Sequence, residues 1–384
     1  MKKSLYILMV IVFVTFCLSV FFVNNNSRKT FVQDGIQFAV KVDGIYQNSF
    51  PNETDNYYVD INCTNAHGQW RRIQNQNDTN FEYKLIIDNI TGNVACDVDF
   101  LSIDLTDKDN IYFLSNVVKE NADDLTESGY GYRYKGMNPN NYLWFNNELW
   151  RIIGLVPTVT ELDENDEVLT TEDLVKIIRD NTLGSLAYDA KTSGYTGIWG
   201  DNTLYHLLNE YYWGKLDGTI INTTMAQYCF SYHDKVKGKC DYRSIGLLST
   251  DFYGAMVENV YWNTGLSANA NSIDTTYQNE ISNQTVSGYV GLMNASDYLL
   301  SKGSTYGRWL YKYEFEYSCN AATSTSVLHV FNGDSMTQYG SGYARAGENV
   351  RPVVYLSSDV YVVAGSGTEA DPYQINMLSG NSNA

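Results

Sequence analysis

Leu5 to Val23 form nineteen consecutive residues without a charge, preceded by Lys2 and Lys3. A run of that length is enough to cross a bilayer core as a helix. A cleaved signal peptide carries a shorter apolar stretch and a small-x-small site, but this run leaves through Phe21, Phe22, Val23 and Asn24. Cys17 follows Val14, Thr15 and Phe16, and Phe16 is too bulky for a lipoprotein cleavage sequence. Residues 1–29 are therefore read as an uncleaved signal anchor, with the rest of the chain outside the cell. Arg28 and Lys29 oppose Lys2 and Lys3 under the positive-inside rule, so orientation rests on export of the long remainder.

With 384 residues there is room for about two domains. Thirty-two tyrosines against five prolines suit half-buried strands joined by Asn-containing turns, although an AT-rich genome would leave the same bias. Residues 1–29 carry four basic and no acidic side chains, so the remainder holds 22 basic against 44 acidic. So acidic a body lacks the Lys/Arg surface that nucleic acid or anionic lipid requires.

Residues 31–105 read as a small all-β sandwich. Ile36, Phe38, Val40 and Val42 alternate with Gln37, Ala39 and Lys41, and Phe81, Tyr83, Leu85 and Ile87 alternate less cleanly. Cys63 is in phase with Val59 and Ile61, and Cys96 with Val94, Val98 and Phe100. Both sulfurs thus fall on a buried face, where an inter-sheet disulfide or two free thiols would fit. Cys229 and Cys240 bracket a polar stretch and are read as a loop-stapling disulfide. Cys319 is then left over, either buried and inert or displacing one of those partners. The spacings match no zinc pattern.

Residues 106–128 read as a linker with a short helix near Val117 to Ala122. Residues 129–377 form the distal domain, and 378–384 a disordered tail. Leu149 to Leu155 is a strand candidate entered through a tight Asn146-Asn147 turn, and Leu174 to Arg179 is a partner for it. The acidic segment Leu162 to Asp173 reads as an exposed loop. Asp201-Asn202-Thr203 caps a helix with Leu204, Leu207, Leu208 and Tyr211 at helical spacing.

Several segments of this region carry a resemblance. They are Tyr132-Arg133-Tyr134-Lys135-Gly136, Leu149-Trp150-Arg151-Ile152-Ile153-Gly154, Gly291-Leu292-Met293, Ser296-Asp297-Tyr298, Arg351-Pro352-Val353-Val354-Tyr355-Leu356 and Asp371-Pro372-Tyr373. Residues 130–375 resemble a domain common in surface proteins of Gram-positive and gut bacteria. The layout is also similar to the C-type-lectin-like fold of formylglycine-generating enzymes, which implies an α+β distal domain with a loop-built binding surface. Residues 31–105 resemble the β-modules that precede such domains. The closely spaced copper-binding cysteine pair of formylglycine-generating enzymes has no counterpart here, so that activity is not implied.

No nucleophile signature or phosphate-cradling loop is present. The chain is read as a membrane-anchored extracellular binding protein for glycans or surface and matrix proteins. Envelope assembly without a soluble ligand is the alternative, and an extracellular hydrolase the third reading. Trp199, Tyr211, Tyr212, Trp213, Tyr339 and Tyr343 are the candidate ligand-binding aromatics. Asp163, Asn165, Asp166 and Glu167 cluster hard oxygens suited to calcium, the one cofactor considered, though the glycine of an EF-hand loop is missing and a solvated loop would look the same. Arg351 reads as a buried, hydrogen-bonded arginine that orients the last strands.

Overall fold

Two-residue turns set the first architecture. Asp34-Gly35 and Asp43-Gly44 all have positive φ, as type I′ hairpin turns require. They join strands β1 (Phe31–Gln33), β2 (Ile36–Val42) and β3 (Ile45–Gln47) into a meander. The computed structural model describes residues 27–378, other than 53, 55, 75–80, 191–193, 195, 214–245, 248–252, 266–271, 283, 304–306, 324–325, 332–334 and 340–346. The described chain is mostly β-sheet and divides into two compact units. One takes residues up to 73, 82–111 and 363–365; the other takes 74–81, 112–362 and 366 onward. Among the described residues no helix is long and apolar enough to cross a membrane. The anchor expected at Leu5 to Val23 lies outside them, as do Cys229 and Cys240.

In the first unit, β4 (Tyr57–Thr64) lies antiparallel to β7 (Ala95–Ser102), and β7 runs parallel to β2. Strands β5 (His67–Gln74) and β6 (Phe81–Asp88) make a separate ribbon. Its Trp70 stacks on Tyr83 and meets Phe100 of β7 edge-on at 5.4 Å. The expected alternation holds in β7, where Cys96, Val98 and Phe100 are buried. In β2 the central Ala39 is buried along with Phe38 and Val40, so both faces are covered there. Cys63 and Cys96 are bonded and sit directly opposite each other on neighbouring strands. The bridge expected between sheets instead ties two strands of one sheet, because sequence phase fixes the face of a strand but not its neighbour.

From residue 112 the second unit continues into helix α1 (Leu114–Asn121), which buries Leu114, Val117 and Val118. Strands β8 (Asp123–Asp124) and β9 (Tyr132–Arg133) follow, so most of the expected linker is ordered structure. Next, β10 (Tyr142–Phe145) turns through Asn146 and Asn147, both at positive φ, into β11 (Glu148–Leu162). β11 pairs antiparallel with β12 (Val168–Arg179). The expected loop at 162–173 shrinks to Asp163–Glu167, because Val168 to Asp173 continue the ladder as an arm in which Val168 and Leu169 stay exposed. Backbone pairing and β-branched residues sustain such an arm without a core beneath it.

Short strand β13 (Ser185–Ala187) precedes helix α2 (Thr203–His206), capped by the Asn202 side chain accepting from the Tyr205 N–H at 2.8 Å. The helix then widens into a π turn over Leu207–Tyr212. The extra residue rotates the face, so Tyr212, not the expected Tyr211, joins Leu204, Leu207 and Leu208 in the core. Strand β14 (Val260–Asn263), helix α3 (Ile273–Ile281), strand β15 (Thr285–Gly288) and helix α4 (Ala295–Leu300) come next. A three-stranded sheet of β16 (Tyr317–Thr323), β17 (Ser326–Phe331) and β18 (Ser335–Tyr339) follows. Then come β19 (Gly347–Asn349), β20 (Val353–Leu356), β21 (Val360–Ala364) and β22 (Gln374–Met377). β20 lies antiparallel to β12. Arg351 is buried, donating from Nε to Glu316 Oε1 at 2.7 Å and from Nη2 to the Leu310 carbonyl at 2.8 Å.

Candidate functional site

Four residues stand side by side across β9, β11, β12 and β20. Arg133 is opposite Gly154, Gly154 opposite Lys176, and Lys176 opposite Tyr355. Directly opposed residues share a face, so the two cations and the tyrosine project from one side of the sheet. A register shift between Ile152 and Gly154 sets this row, in keeping with the way bulges re-aim side chains. Gly154 is required because a Cβ there would collide with the Tyr132 carbonyl and press on Arg133 Cδ.

Helix α4 supplies the counter-charge. All six of its residues are buried, and Asn294 and Asp297 close its first turn as a capping box. Lys176 Nζ donates to Asn294 Oδ1 at 2.6 Å and to Asp297 Oδ2 at 2.5 Å, and the same Oδ2 accepts the Asn294 N–H at 3.0 Å. Arg133 Nε lies 3.5 Å from Asp297 Oδ1, too far for a hydrogen bond, and is a buried donor without an acceptor. Its Nη1 donates to the Leu155 and Tyr132 carbonyls. Lys176 also lies 5.5 Å and 5.6 Å from the Trp262 and Tyr355 ring centres.

Helix α3 adds Glu280, which shares its buried face with Thr276 one turn earlier. Glu280 Oε1 accepts the Ser296 N–H at 2.8 Å, and Oε2 accepts the Ser296 hydroxyl. Burial pushes the Glu280 carboxyl up to about 7, against those two hydrogen bonds. Burial also works to raise Asp297, but Lys176 and Arg133 hold it below the usual carboxylate range. For Lys176 burial favours loss of the proton, but Asp297, together with Tyr355 and Cys319, more than offsets it and leaves the ammonium above its ordinary value. Burial pushes the nearby Cys319 thiol up to about 12, far from the thiolate that reactivity needs.

This cluster lines a partly open cavity of about 250 Å³. Arg133, Lys176, Glu280 and Asp297 are its charged wall, and Tyr277, Tyr261, Asn263 and Thr285 contribute rings, an amide and a hydroxyl. The volume lies just under the ~300–1,000 Å³ usual for small-molecule sites, which leaves room for one sugar-sized ring. Chemically, Glu280 beside Ser296 pairs a near-neutral carboxyl with a hydroxyl, as acid–base chemistry would require. Yet Ser296 is only 3% exposed and both its donors already serve Glu280. The pair thereby fastens α3 to the first turn of α4.

The aromatic residues expected to bind ligand do not converge here. Trp199, Tyr212 and Trp213 are buried. Trp199 packs against Tyr188 and Tyr205, and Trp213 stacks on Tyr289 at 4.8 Å. The rings of Trp199 and Trp213 are packed against protein and Tyr212 is fully buried, which corrects the expectation that these three face a ligand. Tyr211 is half-buried, Tyr339 lies in β18, and Tyr343 is outside the described residues. In the acidic loop, Asp163 Oδ1 accepts the N–H groups of Asn165 and Glu167 at 2.8 and 2.9 Å, and Asp166 Oδ1 accepts from Asn259 at 3.0 Å. Those oxygens close the hairpin turn, and among the described residues no group of His, Cys, Asp or Glu is arranged to hold a metal ion.

Arg133, Asp297 and Tyr355 fall within the segments that carry the family resemblance, but their sequence pattern did not mark them as a site. Lys176 offered the clearest signal: a lone charge inside the apolar run Leu174-Val175-Lys176-Ile177-Ile178. No family model matches this chain, and neither does any curated protein or solved structure.

Proposed function

We propose that the chain is a membrane-anchored extracellular recognition protein whose second unit binds its ligand in the Arg133–Lys176 cavity. The observation that carries this reading is the buried polar wall: two cations face one firmly ionised carboxylate, and a buried Arg133 donor lacks an acceptor. Buried charge is ordinarily neutralised by partners. A site that leaves part of it uncompensated beside an open cavity is built to receive a polar group. The reading keeps the lectin-like class for this unit, supported by the resemblance segments and by β20 with its Arg351-Pro352 lead lying beside β12. Glycans and matrix proteins are the ligand classes it implies.

The test presents the full-length chain, in mild detergent, to glycan and matrix-protein arrays with calcium and with chelator. Saturable binding that Arg133→Gln removes, with the circular dichroism spectrum unchanged, is the expected result. Silence on every glycan and protein would overturn it, and loss of binding in chelator would bring calcium into the ligand contact.

A further inference from the structure

We propose that the cavity captures its ligand through a carboxylate group, and that an acidic sugar residue is the ligand class it fits. This rests on the recognition reading above and narrows it. The charged lining consists of Arg133, Lys176, Asp297 and Glu280. Asp297 is engaged by Lys176 and by the Asn294 N–H. The Arg133 Nε meets it only at 3.5 Å, without a hydrogen bond, while Nη1 donates to the Leu155 and Tyr132 carbonyls. Arginine is the side chain best matched to a planar carboxylate. With Glu280 protonated the wall carries one net positive charge; with Glu280 ionised it carries none. The wall is thus a local exception in a chain of formal charge −18.

The groups facing Glu280 decide how it responds to pH. They are Ser296 and Asp297 from α4, Lys176 from β12, Cys319 from β16 and Tyr277 on its own helix. Burial holds its proton up to about pH 7, so a neutral Glu280 neither repels an incoming carboxylate nor cancels Arg133. Above that pH it does both. The rest of the lining suits the sugar ring: Tyr277 and Tyr261 offer faces for stacking, and Asn263 and Thr285 offer hydrogen bonds to hydroxyls. The volume of about 250 Å³ selects a single residue or chain end over an extended polymer.

The experiment is isothermal titration of the full-length chain with glucuronate, galacturonate and N-acetylneuraminate, against glucose, galactose and N-acetylglucosamine. Acidic sugars are expected to bind at least about tenfold more tightly than their neutral counterparts near pH 6, and to weaken by up to about tenfold per pH unit above 7. Glu280→Gln is expected to remove that pH dependence. Arg133→Gln is expected to abolish binding; should it fail to fold, the Glu280→Gln arm alone decides. Equal affinity for acidic and neutral sugars would overturn the carboxylate assignment while sparing the recognition reading. No heat with any acidic sugar, from folded protein, would overturn it as well, and array silence would remove both.

Discussion

The two units each contain a lysine–aspartate pair across neighbouring elements, and they use it differently. In the first, Lys41 Nζ meets Asp99 Oδ2 at 3.0 Å with side chains 26% and 35% exposed. In the second, Lys176 meets Asp297 at 2.5 Å with both side chains 2% exposed. The first unit leaves this pair partly in solvent and relies on Phe38, Val40, Trp70, Val98 and Phe100 with a disulfide behind them. The second brings charge into its interior and must satisfy it there. The contrast teaches that the chemistry of an ion pair says little until its burial is known. Removing one partner of a buried pair strands the other, whereas an exposed charge is simply rehydrated.

The sharpest way to break this comparison is Lys176→Met, which keeps the stem and deletes the charge. It is expected to destabilise the second unit by roughly 3–5 kcal/mol, since Asp297 would keep only the Asn294 N–H and the Arg133 charge at 3.5 Å. Adding Asp297→Asn should recover most of that loss. Denaturant melts of the single and double variants check both, and a Lys176→Met loss below about 1 kcal/mol would place the pair in the surface class.

Replacing Cys63 and Cys96 by alanine tests the other side. The bridge closes a separation of 33 residues, for which chain entropy suggests roughly 3–4 kcal/mol. Hydrogen exchange should quicken in residues 57–64 and 95–102 of the first unit and leave β12 and β20 unchanged. Faster exchange throughout β12 would contradict that assignment.

Glu280→Gln separates charge from packing by its pH profile. Because burial raises its folded pKa to about 7, from the ordinary 4.5, the native state holds a proton that the unfolded chain has already lost between those values. Stability contributed by this group therefore falls as pH rises from about 4.5 to 7. The glutamine variant should be more stable than the parent near pH 8, by up to about 3 kcal/mol, and little different near pH 4. Asp297 works in the opposite sense: its depressed pKa adds stability above the ordinary carboxylate value, lost as pH falls through the folded one.

Local rules made much of the fold legible. Phase identified the inner face of β7, and residue type marked the Asn146-Asn147 turn and the Asn202 cap. Register and partner choice were not legible, because they are decided by tertiary packing: the Cys63–Cys96 bridge joined one sheet and not two. The π turn at Leu207–Tyr212 hid for a related reason, since its extra residue moves Tyr212 inward without any change in the apolar spacing before it. The site was hardest to see. Arg133, Lys176, Glu280 and Asp297 come from four elements and are assembled by a bulge and by Gly154. Aromatic residues drew the first reading because they are conspicuous in sequence, but aromatic surface is also the best core filler.

The smallest expected effect closes the comparison. Lys41→Ala should cost only about 0.2–1 kcal/mol, because water replaces the ammonium at Asp99. The hydrogen bond to Asp99 raises the Lys41 pKa, outweighing burial, so its modest stabilisation is present below the ordinary value of 10.5 and is lost as pH climbs through the higher folded one. Salt supplies the finer discriminant. A Debye length near 3 Å at about 1 M salt screens an exposed pair and leaves a buried one largely untouched. Melts of Lys41→Ala in high salt should thus converge on the parent, while the Lys176→Met difference persists. If salt instead erased both differences alike, the cavity wall would be far wetter than its burial implies, and Arg133 and Lys176 would no longer have reason to wait for an anionic ligand.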